Sequence, residues 1–143
     1  MRTSEEFFEM YHKVRWEFKG NYEERRAQEL KLFADWYNEM DKGEHCHIHH
    51  WSDVSPCTVI KRSKTTITVR HDKAERDPNW KPEWIPGGFS AVCTNIDEQK
   101  WIIEEDENGY VETFRWHKNA NCYENTAGEK LLPGWAKYYD YNF

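Results

Sequence analysis

The sequence has no long uninterrupted apolar run. Its opening stretch, MRTSEEFFEMYHKVRWEF, alternates charges with rings and is unlike a secretory leader. Nothing later approaches the roughly 18 residues that a membrane-spanning helix takes, so the cytosol is the expected location. Closely paired cysteines are also missing. Cys46, Cys57, Cys93 and Cys122 match no finger or ribbon spacing, and a reducing compartment would keep them as thiols rather than as a disulfide frame. No glycine-rich loop follows a strand to cradle a phosphate, and Pro86-Gly87-Gly88 reads as a turn. No serine sits in a nucleophile elbow, and no cysteine carries the flanking residues of a nucleophile. Glu104 and Glu105 point to opposite faces of a predicted strand, which suits paired acid–base work poorly. An enzyme is therefore not expected.

What the chain does have is rings. Eight Trp and eight Tyr among 143 residues, with aromatics at 16 %, exclude disorder and supply both a core and a contact surface. The length is that of a single domain spanning residues 1–143. Charge is unevenly spread around a net −6: residues 61–81 hold seven basic side chains against three acidic, and residues 97–112 hold seven acidic against one lysine. Such segregation sets up local fields that steer a polar partner.

Thr3, Glu6 and the rings at Phe7 and Phe8 form a capping box that opens a helix, with Phe7, Met10, Tyr11, Val14 and Phe18 at helical spacing. Gly20-Asn21 is the expected stop. A second helix is expected over residues 22–40, with Leu30, Phe33, Tyr37 and Met40 in one stripe and Gly43 beyond it. After Gly43 the apolar period shortens to two, predicting strands over residues 45–51, 56–62 and 65–71. Residues 73–90, with Pro78, Pro82 and Pro86, read as a long ordered loop pinned by Trp80 and Trp84. Asn108-Gly109 between alternating runs predicts a type I′ hairpin that pairs 101 with 116 and 103 with 114. The tail, with Tyr138, Tyr139, Tyr141 and Phe143, is expected to dock as a last strand or to cover a sheet edge. The fold class is thus α+β: a helical arm over residues 1–43, followed by a β-rich core over 44–143 built as a small antiparallel sheet or an SH3-like barrel.

The densest chemistry lies in the run from His45 to His50. Zinc takes about four nitrogen or sulfur ligands in a tetrahedron. On a strand, His45, His47 and His49 share one face, Cys46 and His50 the other. Either face supplies two ligands, and Cys46, His47, His49, Cys57 and Cys93 are the candidates for a structural zinc. The competing reading is a His-rich edge strand whose cysteines are small hydrophobes. For partners, Glu104, Asp106 and Glu107 on the acidic segment, and Tyr11 and Trp36 on the arm, are expected to meet a protein. Trp and Tyr are frequent interface anchors. Nucleic acid, held by Lys61, Arg62, Lys64, Arg70 and Lys81, is disfavoured by the net negative charge. A metal-dependent hydrolase stands as a third alternative.

Several segments together resemble a known group. They are Ser52-Asp53, residues 56–62 (PCTVIKR), 66–69, Asp72-Lys73-Ala74, 77–83 (DPNWKPE), Gly87-Gly88-Phe89, Cys93-Thr94-Asn95, Glu98-Gln99 and 139–143 (YDYNF). They are similar to small phage and mobile-element proteins of Firmicutes over about residues 50–143, the arm excluded. The resemblance implies an accessory protein of a mobile element, a setting that includes inhibitors of host defence and, among them, anti-CRISPR proteins directed at the type II nuclease Cas9.

Overall fold

In the computed structural model, residues 3–87, 90–118 and 122–141 are described. Helix α1 (Ser4–Glu17) opens on the expected capping box: Glu6 N donates to Thr3 Oγ1 at 3.2 Å while Thr3 N donates to Glu6 Oε2 at 3.3 Å. It ends before the expected stop. Asn21 is the N-cap of α2 (Tyr22–Glu39), extended at φ −81°, with its side-chain oxygen accepting from Glu24 N at 2.8 Å. Gly20 is needed for room, since a Cβ there would lie 2.6 Å from the Phe18 ring.

Among the described residues ten short strands follow: β1 (His45–His49), β2 (Val54–Arg62), β3 (Thr66–His71), β4 (Lys73–Arg76), β5 (Trp84–Gly87), β6 (Ser90–Cys93), β7 (Trp101–Glu104), β8 (Val111–His117), β9 (Cys122–Glu124) and β10 (Lys130–Pro133). Six of them close an antiparallel barrel in the order β1-β10-β9-β8-β3-β2, since β1 pairs with both β2 and β10. Closure removes the free sheet edge that would otherwise invite other chains. A bulge at Ile60 shifts the β2–β3 register, so that Arg62 pairs with inward Ile67. Arg62 thereby reaches the Met40 carbonyl at the end of α2 and satisfies a helix-terminal acceptor.

Alternation and register divide the barrel lumen into layers. Ile48, Val59, Ile67, Val69, Phe114 and Leu131 fill its middle with no exposure. At one end the helices cap it. Tyr37 sits 4.9 Å from Tyr123 and 5.6 Å from Trp116 and donates its hydroxyl to the Leu131 carbonyl at 2.9 Å. Burial raises the Tyr37 pKa far above its ordinary value. Trp36 is 1 % exposed and donates Nε1–H to Ser4 Oγ at 3.0 Å. The helical arm is therefore no free arm; it shares one continuous core with the barrel. Trp36, expected as a partner contact, is a core residue, and Tyr11 is half-buried against Phe33.

The expected 101–116 hairpin does not form. β7 pairs with β4, matching Glu104 to Lys73 and Trp101 to Arg76, while β8 pairs with β3. Asp106 is the first residue of the intervening turn and Gly109 the last: Gly109 N donates to Asp106 O at 3.0 Å, and Asn108 N to Asp106 Oδ1 at 3.0 Å. That is the residue placement of a type I turn, which passes the chain from one sheet to another rather than reversing it within a ladder. The expected 73–90 loop likewise contains β4 and one strand of the β5–β6 hairpin, where Ile85 pairs with Val92. Trp80 is buried against Tyr141 at 5.7 Å, as the loop reading expected, whereas Trp84 is half-exposed. In the tail, Tyr138 makes one antiparallel bridge to Val54, with bonds of 2.9 and 3.1 Å. Gly88, Phe89, Asn142 and Phe143 of the expected turn and tail lie outside the described residues. Among the described residues no helix is long and apolar enough to cross a membrane.

Candidate functional site: the polar mouth of the barrel

The end opposite the helices is different. The inward-facing series continues in phase along every barrel strand or into the residue flanking it: Cys46, Ile48 and, just past β1, His50; Ser55, Cys57, Val59 on β2; Ile67, Val69, His71 on β3; Glu112, Phe114 on β8; Tyr123 on β9 and, just past it, Asn125; Glu129, just before β10, and Leu131 on it. At this end each strand contributes one polar side chain, and the six form a hydrogen-bonded chain. Ser55 Oγ lies 2.9 Å from His50 Nε2, and His50 Nδ1 contacts Glu129 Oε2. Asn125 Nδ2 donates at 2.8 Å to Glu129 Oε1 and at 2.8 Å to Glu112 Oε1, and Glu112 Oε2 meets His71 Nε2.

Donor counting orders the protons. A carboxylate only accepts, so His50 Nδ1–H donates to Glu129; when the ring is neutral, Nε2 accepts from the Ser55 hydroxyl. Burial works upward on the Glu129 carboxyl, but the hydrogen bonds from Asn125 and His50 outweigh it and hold the group below its usual value. Asn125 is fixed in turn by its own loop: its Oδ1 accepts from Ala127 N at 3.1 Å and Glu129 N at 2.9 Å. Its amide thus shapes the β9–β10 turn and keeps two carboxylates side by side.

The ring is reachable. The side chains of His50, Glu129 and His71 are about a quarter exposed. A cleft of about 550 Å³ runs between the β1–β2 and β9–β10 turns, walled by His49, His50, Trp51, Gly128, Glu129 and Lys130. Trp51, 89 % exposed, stands on one side, and Tyr110, 70 % exposed with its ring 5.5 Å from that of His71, stands on another. Gly109 lets the Tyr110 turn sit directly on the barrel, because a Cβ there would fall 1.9 Å from the His71 carbonyl oxygen.

No family model, curated protein or solved structure matches the chain.

The expected zinc candidates are scattered among three places. Cys46 and Cys57 oppose each other inside the barrel, Sγ to Sγ 3.1 Å, both without exposure. His47 and His49 point outward from the same strand, as alternation requires. His47 is buried beside Phe8 and donates Nδ1–H to the Gly134 carbonyl at 2.9 Å, while His49 is exposed. Burial lowers the His47 pKa to about 4, which holds it neutral at ordinary pH. Cys93 lies apart on β6, opposite Trp84. Among the described residues no three His, Cys, Asp or Glu side chains converge to hold a metal ion.

The acidic segment is partly engaged within the protein. Glu104 is exposed opposite Lys73; Asp106 N donates to Asp72 Oδ1 at 3.2 Å, and Glu107 is exposed in the turn. The five basic candidates share no single patch. Lys61 and Arg70 face outward on β2 and β3, Arg62 is turned under α2, and Lys64 and Lys81 lie in separate loops. Sequence reasoning missed Ser55, Glu112, Asn125 and Glu129, the side chains that tie His50 and His71 into one ring. The available signal was a polar residue in phase with the buried positions at each strand end.

Proposed function

We propose that the protein is a binding module whose docking face is the open mouth of the barrel, engaging a basic surface of a protein partner. The observation that carries this reading is the presence at one end of the barrel of two exposed rings, Trp51 and Tyr110, and of the Glu112 and Glu129 carboxylates that Asn125 holds side by side. Exposed aromatics beside carboxylates suit an arginine or lysine side chain, which stacks on a ring face and bonds to the acids. Glu104 and Glu107, exposed nearby in sequence to Tyr110, add negative charge that steers a basic partner.

Basic grooves belong to proteins that handle nucleic acids. With the resemblance to mobile-element proteins, the proposed partner is a host-defence nuclease in the bacterial cytoplasm, Cas9 first among them, and the protein is its inhibitor. Purified protein should bind Cas9 in a pull-down and slow its cleavage of target DNA. Absence of binding both with and without guide RNA would rule out that partner.

A further inference from the structure

The ring contains a second capability beyond docking, with Glu129 common to both. Ser55, His50 and Glu129 are in the order hydroxyl, imidazole, carboxylate, with Ser55 Oγ 2.9 Å from Nε2 and Glu129 on Nδ1 of the same ring. That is the hydrogen-bond order of a serine nucleophile, its base and the acid that orients the base, a constellation recognised by geometry rather than by sequence position. It was invisible to motif reasoning because Ser55 lies on a strand rather than in an elbow.

Three features separate it from a merely satisfied polar cluster. All three side chains stand at the open end of the barrel, where His50 and Glu129 line a cleft of about 550 Å³ and Ser55 is partly exposed. Glu129 is fixed from behind by Asn125 at 2.8 Å, so that His50 has a defined orientation and tautomer. His71 stands diagonally across the β2–β3 pair from Ser55, one register step beyond its direct partner Cys57, and is itself held by Glu112. It therefore sets a second, hydrogen-bonded imidazole on the strand beside Ser55.

We propose that the barrel mouth is an acyl-transfer site for small carboxylic esters, with Ser55 as the nucleophile, His50 as the base and Glu129 as the positioning residue. Ser55 Oγ attacks the ester carbonyl carbon as its proton passes to His50 Nε2. The tetrahedral adduct collapses, the bond to the alkoxy oxygen breaks, and His50 returns the proton to the departing alcohol. Water then attacks the seryl ester with His50 again as base, releasing the acid and restoring Ser55. Trp51 gives the acyl or alcohol portion an apolar wall.

The test uses the full chain and a tagged fluorophosphonate, which reacts with activated serines by forming an O–P bond and expelling fluoride. Wild-type protein should take up one equivalent, on Ser55 by peptide mass spectrometry. Ser55→Ala should take up none, as should His50→Gln, which preserves a polar side chain of similar reach if Ser55→Ala does not fold. With p-nitrophenyl acetate, Glu129→Gln should lower kcat roughly 10²- to 10⁴-fold with KM held, as expected for loss of an orienting carboxylate. No incorporation into folded wild-type protein, or incorporation that survives in Ser55→Ala, would overturn the proposal. Equal falls in kcat and in folded fraction for Glu129→Gln would remove its positioning role.

Discussion

Acid should unfold this protein through His47. The imidazole is 4 % exposed on the outer face of β1, edge-on to Phe8 at 5.8 Å, with Nδ1–H donating to Gly134 O. Burial lowers its pKa from 6.5 to about 4. A group whose folded value is depressed is protonated first in the unfolded chain. Between pH 6.5 and 4 the unfolded state therefore binds the extra proton, and stability falls as the pH falls through that window. At about 1.4 kcal/mol for each tenfold change in acidity, the full effect is about 3 kcal/mol. His47→Gln keeps a hydrogen-bond donor but does not titrate. Urea unfolding of both proteins at pH 7 and pH 4 isolates the residue, because every other titrating group contributes equally to the two. The wild type should lose about 3 kcal/mol more than His47→Gln over that interval. Equal losses would show that His47 is hydrated or charged in the folded state, and would refute the packing of α1 over β1.

Three further perturbations examine other layers. Asn125→Leu leaves Glu112 and Glu129 adjacent without the amide between them and should cost roughly 2 kcal/mol by chemical denaturation; no loss would mean the ring is not held by Asn125. Trp36→Ala should cost about 3–5 kcal/mol and Trp36→Phe considerably less, since the ring is buried and only its bond to Ser4 is lost; a neutral Trp36→Ala would return Trp36 to the surface. Cys46 and Cys57 should resist a thiol reagent such as dithiobisnitrobenzoate in the native state, because both are without exposure and burial pushes the Cys57 thiol well up. Both should react on unfolding in guanidinium, and rapid native reaction would contradict a closed barrel.

The elements legible in the sequence were those with local causes. The Thr3–Glu6 capping box fixed the start of α1, and the period-two alternation of residues 45–71 located three barrel strands within a few residues. The Asn108-Gly109 dipeptide misled because its geometry depends on its neighbour: Asp106 accepts both turn amides and converts a presumed hairpin into a passage between sheets. Strand pairings such as β4 with β7 join segments some 28 residues apart, and no local pattern selects them. Trp36 was misplaced for a related reason, since helical spacing marks an apolar face without saying what covers it. The His-Cys run drew attention by density, yet alternation sends neighbouring residues to opposite sides of one strand. The ring, by contrast, collects single residues from six strands, with His50 and Glu129 79 residues apart. It appears only when the barrel closes.

Closure brings together the mouth on which the functional account stands, so the decisive measurement compares two ends of the molecule. Affinity for Cas9 should be measured by surface plasmon resonance for the wild type, for a Trp51→Ala/Tyr110→Ala pair at the mouth, and for Trp16→Ala, whose ring is 75 % exposed at the far end of α1. The account predicts at least a tenfold loss for the mouth pair, the order expected when aromatic anchors are truncated, and no change for Trp16→Ala. Unchanged affinity for the mouth pair, with loss confined to Trp16→Ala, would contradict it.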